Sequence, residues 1–343
     1  MFERLLDINN LFEAYKNCCK SVDWKESVQK YQMYSLYNIM TLRESLIDGT
    51  YRQKPFYEFD ICERGKSRHI KSLHITDRVL QRTLCDYVLM PELSKYLIHD
   101  NGASVKGKGI DFTRRRLKQH LCEYYRKHGN AGYVLLIDFS KYFDNIPHDI
   151  LIQKIAEKIH DEKIIELTRY LIKTFGGEKG MGIGSQISQV AGIFYPTELD
   201  NYCKTVKSCR YYGRYMDDTY IIHHDKDYLK KLLEGYEKIA EKLGIIINHK
   251  KTQIIKLEKG FTFLQMKYCI TDTGKIIVIP CSKSLHRERT KLKKLYTFYE
   301  IGKIKRPAIA EQYRSWRGNI LKYNAYRSVR NMDALFNRHY GGF

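Results

Sequence analysis

"RYMDDTYII", residues 214–222, sets two aspartates, Asp217 and Asp218, side by side between two short runs of β-favouring residues. The flanks read as strands and the acids as the tip of the hairpin that joins them. Adjacent carboxylates repel, so a chain that places them at a strand tip needs something to offset the repulsion. A solvated turn is one account, because aspartate is common in turns. A bound cation is the other.

The centre of the chain bears on that choice. "GYVLLIDF" (132–139) is a continuous apolar run that ends in Asp138. This is the pattern of a buried strand whose last residue emerges at a sheet edge. A hairpin beside that strand would bring Asp138, Asp217 and Asp218 to one edge. Three clustered carboxylates call for divalent cations, and two Mg²⁺ ions, with Mn²⁺ able to substitute, suit an all-oxygen site.

The totals narrow the partners. The 343 residues leave room for a large domain or two to three subdomains, and 60 Lys and Arg against 39 Asp and Glu give a net charge of +21. An excess of that size points to polyanions, nucleic acid above all. No apolar run approaches the roughly 20 residues that span a bilayer, and the amino terminus lacks the pattern of a signal peptide. No membrane partner is expected. The nine cysteines contain no C-x-x-C pair, so zinc ribbons and disulfide frameworks are disfavoured and a cytoplasmic location is expected.

Periodicity predicts an α+β chain. A helix is predicted over 24–48, stopped at Asp48-Gly49. Strand-like pieces then flank the turn at 64–68. "TDRVLQRTLCDYVLMPEL" reads as a helix with Thr76 as its N-cap. The glycine- and lysine-rich loop "NGASVKGKG" (101–109) leads into a basic helix ending near Gly129. Helices are predicted for "HDILIQKIAEKI" and "DYLKKLLEGYEKIAEKLG", and short strands for "GIIIN", "KGFTFLQMKYCI" and "KIIVIP". The segment 281–343 is helical in pattern and holds 15 Lys and Arg against 4 Asp and Glu. About half of the chain's net charge thus sits in its last fifth.

Several motifs together resemble those of reverse transcriptases, in that family's order. Tyr215-Met216-Asp217-Asp218 resembles its Y-x-D-D box, and "LLIDFSKYFDNIPH" (135–148) its first palm motif, an aspartate followed five residues later by an aromatic. "KSRHI…DRVLQR" resembles the fingers motif, "GMGIGSQISQ…TELD" (180–200) the segment under template and nucleotide, "LGIIINHKKTQI" (243–254) the lysine motif, and "FTFLQMKY" (261–268) the primer-grip hairpin. The resemblance spans about residues 40 to 270. It is nearest to bacterial retroelement enzymes of the diversity-generating and group II intron-like kinds, antiphage-defence members included.

The resemblance implies a right-hand polymerase fold. Residues 1–130 would form amino-terminal helices and fingers, 131–275 a palm with an antiparallel sheet (145–185 shared with the fingers), and 276–343 a small, basic, helical thumb. Asp138, Asp217 and Asp218 would be the metal carboxylates, with the Phe139 carbonyl a further ligand. Phe143 falls at the steric-gate position beneath the sugar, which favours deoxynucleotides; a core aromatic is the plainer account. Lys66 and Arg68 would meet the triphosphate. Lys251 would protonate the departing pyrophosphate, with Lys250 as rival. Asp149 and the histidines, His148 included, show no ligand spacing.

The segment "GMGIGSQISQVAGIF" departs from the family. If helical from about Ser185, it puts Ser185, Ser188 and Gln189 on one polar face, toward nucleotide and template, and Val190, Ile193 and Phe194 on an apolar one. Gly182-Ile183-Gly184 stands where many relatives carry P-Q-G. This resembles the enzymes of diversity-generating retroelements and implies reduced fidelity. The tail interleaves cations with aromatics, a pattern suited to gripping a template–primer duplex.

These features imply an RNA-directed DNA polymerase acting on dNTPs, with an RNA template (a dedicated noncoding or repeat RNA) and a DNA primer and product. An accessory protein is compatible with the sequence. Sequence diversification, antiphage defence and retron-like synthesis are the three uses to weigh; intron mobility is disfavoured, because no room for a DNA-binding or nuclease domain is expected after the thumb. A non-catalytic RNA-binding scaffold and a polymerase with an RNA product are the alternatives. Intact Asp138, Asp217 and Asp218 argue against the first, and Phe143 against the second.

Overall fold

The computed structural model describes residues 1–63 and 65–342. Arg64, expected in the 64–68 turn, lies outside them. Among the described residues nine strands form three sheets. The first is a two-stranded hairpin of β1 (Tyr57–Glu63) and β2 (Lys66–Ser72). The second contains β3 (Tyr133–Ile137), β4 (Tyr212–Tyr215), β5 (Asp218–His223) and β6 (Gln253–Lys256), in the order β4-β5-β3-β6. The third is a meander of β7 (Phe261–Phe263), β8 (Met266–Ile270) and β9 (Ile276–Pro280). The mixture of helices with antiparallel strand pairs bears out the α+β expectation.

The central sheet explains the apolar run. Val134 to Ile137 are all buried, as a strand covered on both faces requires. β3 runs antiparallel to β6, with Leu135 opposite Ile254. β4 and β5 are the predicted hairpin, and its turn is made by Met216 in the left-handed region (φ +57°). Away from glycine that conformation is unfavourable and needs outside support.

By contact, the described chain falls into two compact units, each built from several stretches. One comprises residues 1–113, 137–219 and 230–252. It holds the β1–β2 hairpin, the Y-x-D-D turn and helices including Ile75–Leu84, His148–Ala156 and Gln186–Phe194. The other comprises residues 114–136, 220–229 and 253 onward. Its last three helices, Ser282–Glu300, Arg306–Ile320 and Tyr326–Tyr340, close around Leu292, Ile309, Tyr313, Met332 and Phe336. Tyr313 stacks on Phe336 at 4.7 Å between ring centroids, and its hydroxyl donates to Asp333 at 2.7 Å. The helical pattern read in the tail is therefore correct. In the same unit β7 and β8 make the hairpin read from "FTFLQMKY", with Leu264 and Gln265 at positive φ at its tip.

Some local readings need correction. The helix predicted over 24–48 is two, Glu26–Met33 and Ser35–Ile47, broken at Tyr34. The N-cap of Ile75–Leu84 is His74 and not Thr76, which lies inside the first turn. The helix from Ile75 does not run straight through to Leu93: Cys85–Leu89 is a π-turn, in which the Met90 N–H reaches the Cys85 carbonyl. Pro91 has no N–H to give to the next turn, which accounts for a widened ladder at that point. "GIIIN" forms no strand. Ile247 makes only an isolated bridge to Phe139, and the Ser140 N–H donates to the Ile246 carbonyl at 2.7 Å.

Candidate active site

Asp138 follows β3 directly, and the next residue, Phe139, is bridged to Ile247. The Asp138 carbonyl accepts the Asn248 N–H at 2.8 Å, so the loop before β6 is tied to the aspartate through the main chain. The carboxylate is engaged as well. Lys251 Nζ lies 2.7 Å from both of its oxygens, and Asn248 Nδ2 donates to Oδ1 at 2.9 Å. Asn248 went unremarked in the sequence, although it stands three residues before the lysine in "NHKK".

Asp217 and Asp218 sit at the hairpin tip, both half-buried. Among the described residues no side chain forms a hydrogen bond or ion pair with either carboxylate. Burial, and then the charge of Asp138, raise the proton affinity of Asp217; Lys251 and Arg68 act against this. Burial, followed by Asp217 and Asp138, pushes Asp218 up to about 7. The three acids thus feel one another.

They do not form a ready-made metal cage. Among the described residues no group of three His, Cys, Asp or Glu side chains is arranged to hold a metal ion, and the Asp138 oxygens face Lys251 instead. The donor chemistry nevertheless fits a hard divalent cation. Two half-buried carboxylates that no side chain bonds among the described residues, with Asp218 pushed up to about 7 by burial and its acidic neighbours, mark a place where positive charge would be stabilising.

A cavity of about 480 Å³ opens beside this group. Lys66 and Arg68 line it from the β1–β2 hairpin, Phe139 and Phe143 from the segment after β3, and Asp217 and Lys251 from the carboxylate side. Six of the expected site residues are therefore brought together. The Arg68 guanidinium also pairs with Glu63 at 3.3 Å. Phe143 is half-buried, and its carbonyl accepts the Met181 N–H at 2.8 Å. The ring lies over Gly192: a Cβ added there would come within 2.9 Å of it and 3.2 Å of Met216 Sδ. Ile183 lines the same cavity, anchored where its carbonyl accepts the Lys71 N–H at 3.0 Å. Lys250 is exposed, and of the two lysines it is Lys251 that contacts Asp138.

Ser188 and Gln189 do not join them. Ser185 is the N-cap of Gln186–Phe194 and accepts the Ser188 N–H, while the Ser188 hydroxyl donates to the Gly182 carbonyl at 2.7 Å. Ser188 is buried, its hydroxyl 2.9 Å from the Ser185 hydroxyl as well as bonded to Gly182, so of the expected polar face only Gln189 is exposed. Gln189 is exposed and lines a different cavity, with Arg78 and Arg82. Val190, Ile193 and Phe194 are buried, as expected of the apolar face. His148, assigned no chemistry, ties the chain together by a bond from Nε2 to the Gly180 carbonyl (2.7 Å).

Residues 54–268 match the reverse transcriptase (RNA-dependent DNA polymerase) family, and the chain belongs to it. Among curated proteins it is similar to the Retron Ec48 reverse transcriptase of Escherichia coli, at 24% identity over 261 residues. That match takes in 73% of this chain and 60% of the relative, so the chain spans under two thirds of the relative's length. Among solved structures it is similar to telomerase from Candida albicans in complex with a fragment of telomeric RNA, with a TM-score of 0.54 and 12% identity over 84% of this chain and 59% of that one. It is also similar to apo telomerase from Candida tropicalis truncated from its C-terminal domain, with a TM-score of 0.53 and 17% identity over 71% and 60%. At such identities the likeness concerns the fold, which is the α+β polymerase fold. Membership of the family implies divalent-metal-dependent catalysis in general.

Proposed function

We propose that the chain is an RNA-directed DNA polymerase that extends a DNA primer with dNTPs on an RNA template. One observation carries this reading: the half-buried Asp217-Asp218 turn is electrostatically coupled to Asp138 beside a cavity with cations on its far wall. Asp138, Asp217 and Asp218, with the Phe139 carbonyl, would hold two Mg²⁺ ions. Once bound, these would neutralise the phosphates and activate the 3′-hydroxyl that displaces pyrophosphate from the α-phosphorus.

The protein's own groups do the rest. Lys66 and Arg68 bind the triphosphate from the hairpin. Phe143, resting on Gly192, closes the space beside the sugar and disfavours a 2′-hydroxyl. Lys251, held at Asp138, would be the group that delivers a proton to the pyrophosphate. Fingers, palm and thumb correspond to 1–130, 131–275 and 276–343, and the basic tail holds the template–primer duplex. Ser188 supports the nucleotide side through the backbone at Gly182, and Gln189 faces template.

The reaction would take place in the cytoplasm; separately, among the described residues no helix is long and apolar enough to cross a membrane. The likeness to a retron reverse transcriptase supports a retroelement setting with a dedicated RNA, for cDNA synthesis or phage defence. Primer extension on RNA and DNA templates with dNTPs or NTPs, repeated with Asp217→Ala, separates the readings. DNA synthesis on RNA that the variant loses is expected. Activity of the variant, or inertness of the wild type with its cognate transcript and either cation, rejects the proposal.

A further inference from the structure

Arg214 carries its charge with none of its side chain exposed, and its partner Asp200 is equally buried. Burying such a pair is expensive, and apolar residues of similar volume often serve stability as well or better. A buried pair is therefore better explained by the geometry it imposes. Here that geometry is specific. Arg214 Nε and Nη2 donate to the two Asp200 oxygens at 2.8 and 2.6 Å, and the Tyr212 hydroxyl donates to Asp200 Oδ1 at 2.5 Å. The opposite side of the guanidinium is spent on two main-chain carbonyls. Nη1 donates to Met216 O at 3.0 Å, and Nη2 to Ile193 O at 2.8 Å.

Those carbonyls occupy telling places. Met216 is the left-handed residue of the turn and immediately precedes Asp217. Ile193 follows Gly192, the glycine on which the Phe143 ring and Met216 Sδ close in. Arg214 is itself fixed at both main-chain ends, its N–H to the Asp100 carbonyl at 3.2 Å and its carbonyl from the Gly102 N–H at 3.1 Å. A planar fork held by Asp200 thus grips the unfavourable turn from beneath. Lysine could neutralise Asp200 but could not reach both carbonyls at once.

We infer that Arg214, oriented by Asp200, is a positioning residue that sets the Met216 carbonyl and thereby the aim of the Asp217 and Asp218 carboxylates. The inference rests on the proposed nucleotidyl transfer at that turn, and it adds a residue that touches neither nucleotide nor metal. Both residues stand beside recognised motifs, the arginine three residues ahead of Asp217 and the aspartate closing "TELD".

The test is Arg214→Lys, which keeps the ion pair and loses the fork, beside the double variant Arg214→Met/Asp200→Asn, which removes both charges. In Arg214→Lys the turnover in primer extension should fall about 100-fold, the scale of a misplacement near 1 Å. KM for dNTP should stay within about threefold, and the chain should still unfold cooperatively, at a somewhat lower temperature because a buried carbonyl has lost its donor. Mn²⁺ binding to the protein alone, followed by paramagnetic resonance of the free ion, should weaken in step. The double variant should fold and remain slow. Wild-type turnover and Mn²⁺ affinity in Arg214→Lys, or recovery of both in the double variant, would overturn the inference. So would loss of folding in both, which would make the pair purely structural. A wild-type chain that extends no primer would reject the proposed function instead, and the Mn²⁺ measurement would still decide the role of Arg214.

Discussion

Replacing Asp218 by asparagine keeps the shape of the hairpin tip and removes one charge. The unfolded carboxyl ionises near the ordinary aspartate value, whereas the folded one does so at about 7. Between those values the native state keeps a proton that the unfolded chain has lost, so rising pH favours unfolding. The destabilisation begins near pH 4 and is complete above pH 7. A shift of about three pH units corresponds to about 4 kcal/mol; solvent reaching the half-buried carboxylate lowers this to about 2 kcal/mol. For 343 residues the gain from Asp218→Asn is then about 3 °C in melting temperature. Denaturant titration of both proteins in chelator at pH 8 and pH 4.5 checks it. The variant should be the more stable at pH 8, should lose most of that advantage at pH 4.5, and should lose polymerase activity by about 100-fold or more. Magnesium should raise the wild-type midpoint and leave the variant's nearly unmoved. A variant less stable at pH 8, or an advantage independent of pH, would refute the idea that an uncompensated charge at this tip opposes folding.

Other expectations follow from the same site. Gly192→Ala should raise KM for dNTP and weaken rejection of NTPs, because its methyl group meets the Phe143 ring at 2.9 Å; unchanged single-nucleotide kinetics would argue against the packing role of Gly192. Phe143→Ala should relax sugar discrimination by about tenfold or more, about 1.4 kcal/mol of lost exclusion, as read from dNTP against NTP incorporation. Ile183→Gln should lower the error rate of cDNA made on a defined template and read by deep sequencing, because Ile183 lines the cavity proposed to take the nucleotide. RNA affinity should fall about a thousandfold or more between 50 and 200 mM salt if the basic tail makes six or more phosphate contacts; a shallow slope would place the grip elsewhere.

What could be read from the sequence was whatever a single stretch specifies. The β3 run declares itself by uninterrupted apolarity and an acid at its end, and the β4–β5 hairpin by β-formers around two aspartates. What could not be read depended on competition for backbone groups. Periodicity turned Ser188 toward the nucleotide, but a short hydroxyl beside an N-cap finds the Gly182 carbonyl nearer. "GIIIN" has strand composition but spends its main chain on Ser140 and Asp138, each with one bond. Asn248, Asp200 and Arg214 escaped because an asparagine, or a buried ion pair formed across 14 residues, leaves no periodic trace.

Lys251 gripping Asp138 by two bonds gives the resting protein a tethered counter-ion of its own. An arriving cation would have to displace that ammonium, so its apparent affinity is the difference between two attractions. The displaced amine stays on its stem, within reach of whatever anion the newcomer brings with it. Loading and proton supply would then be two halves of one exchange.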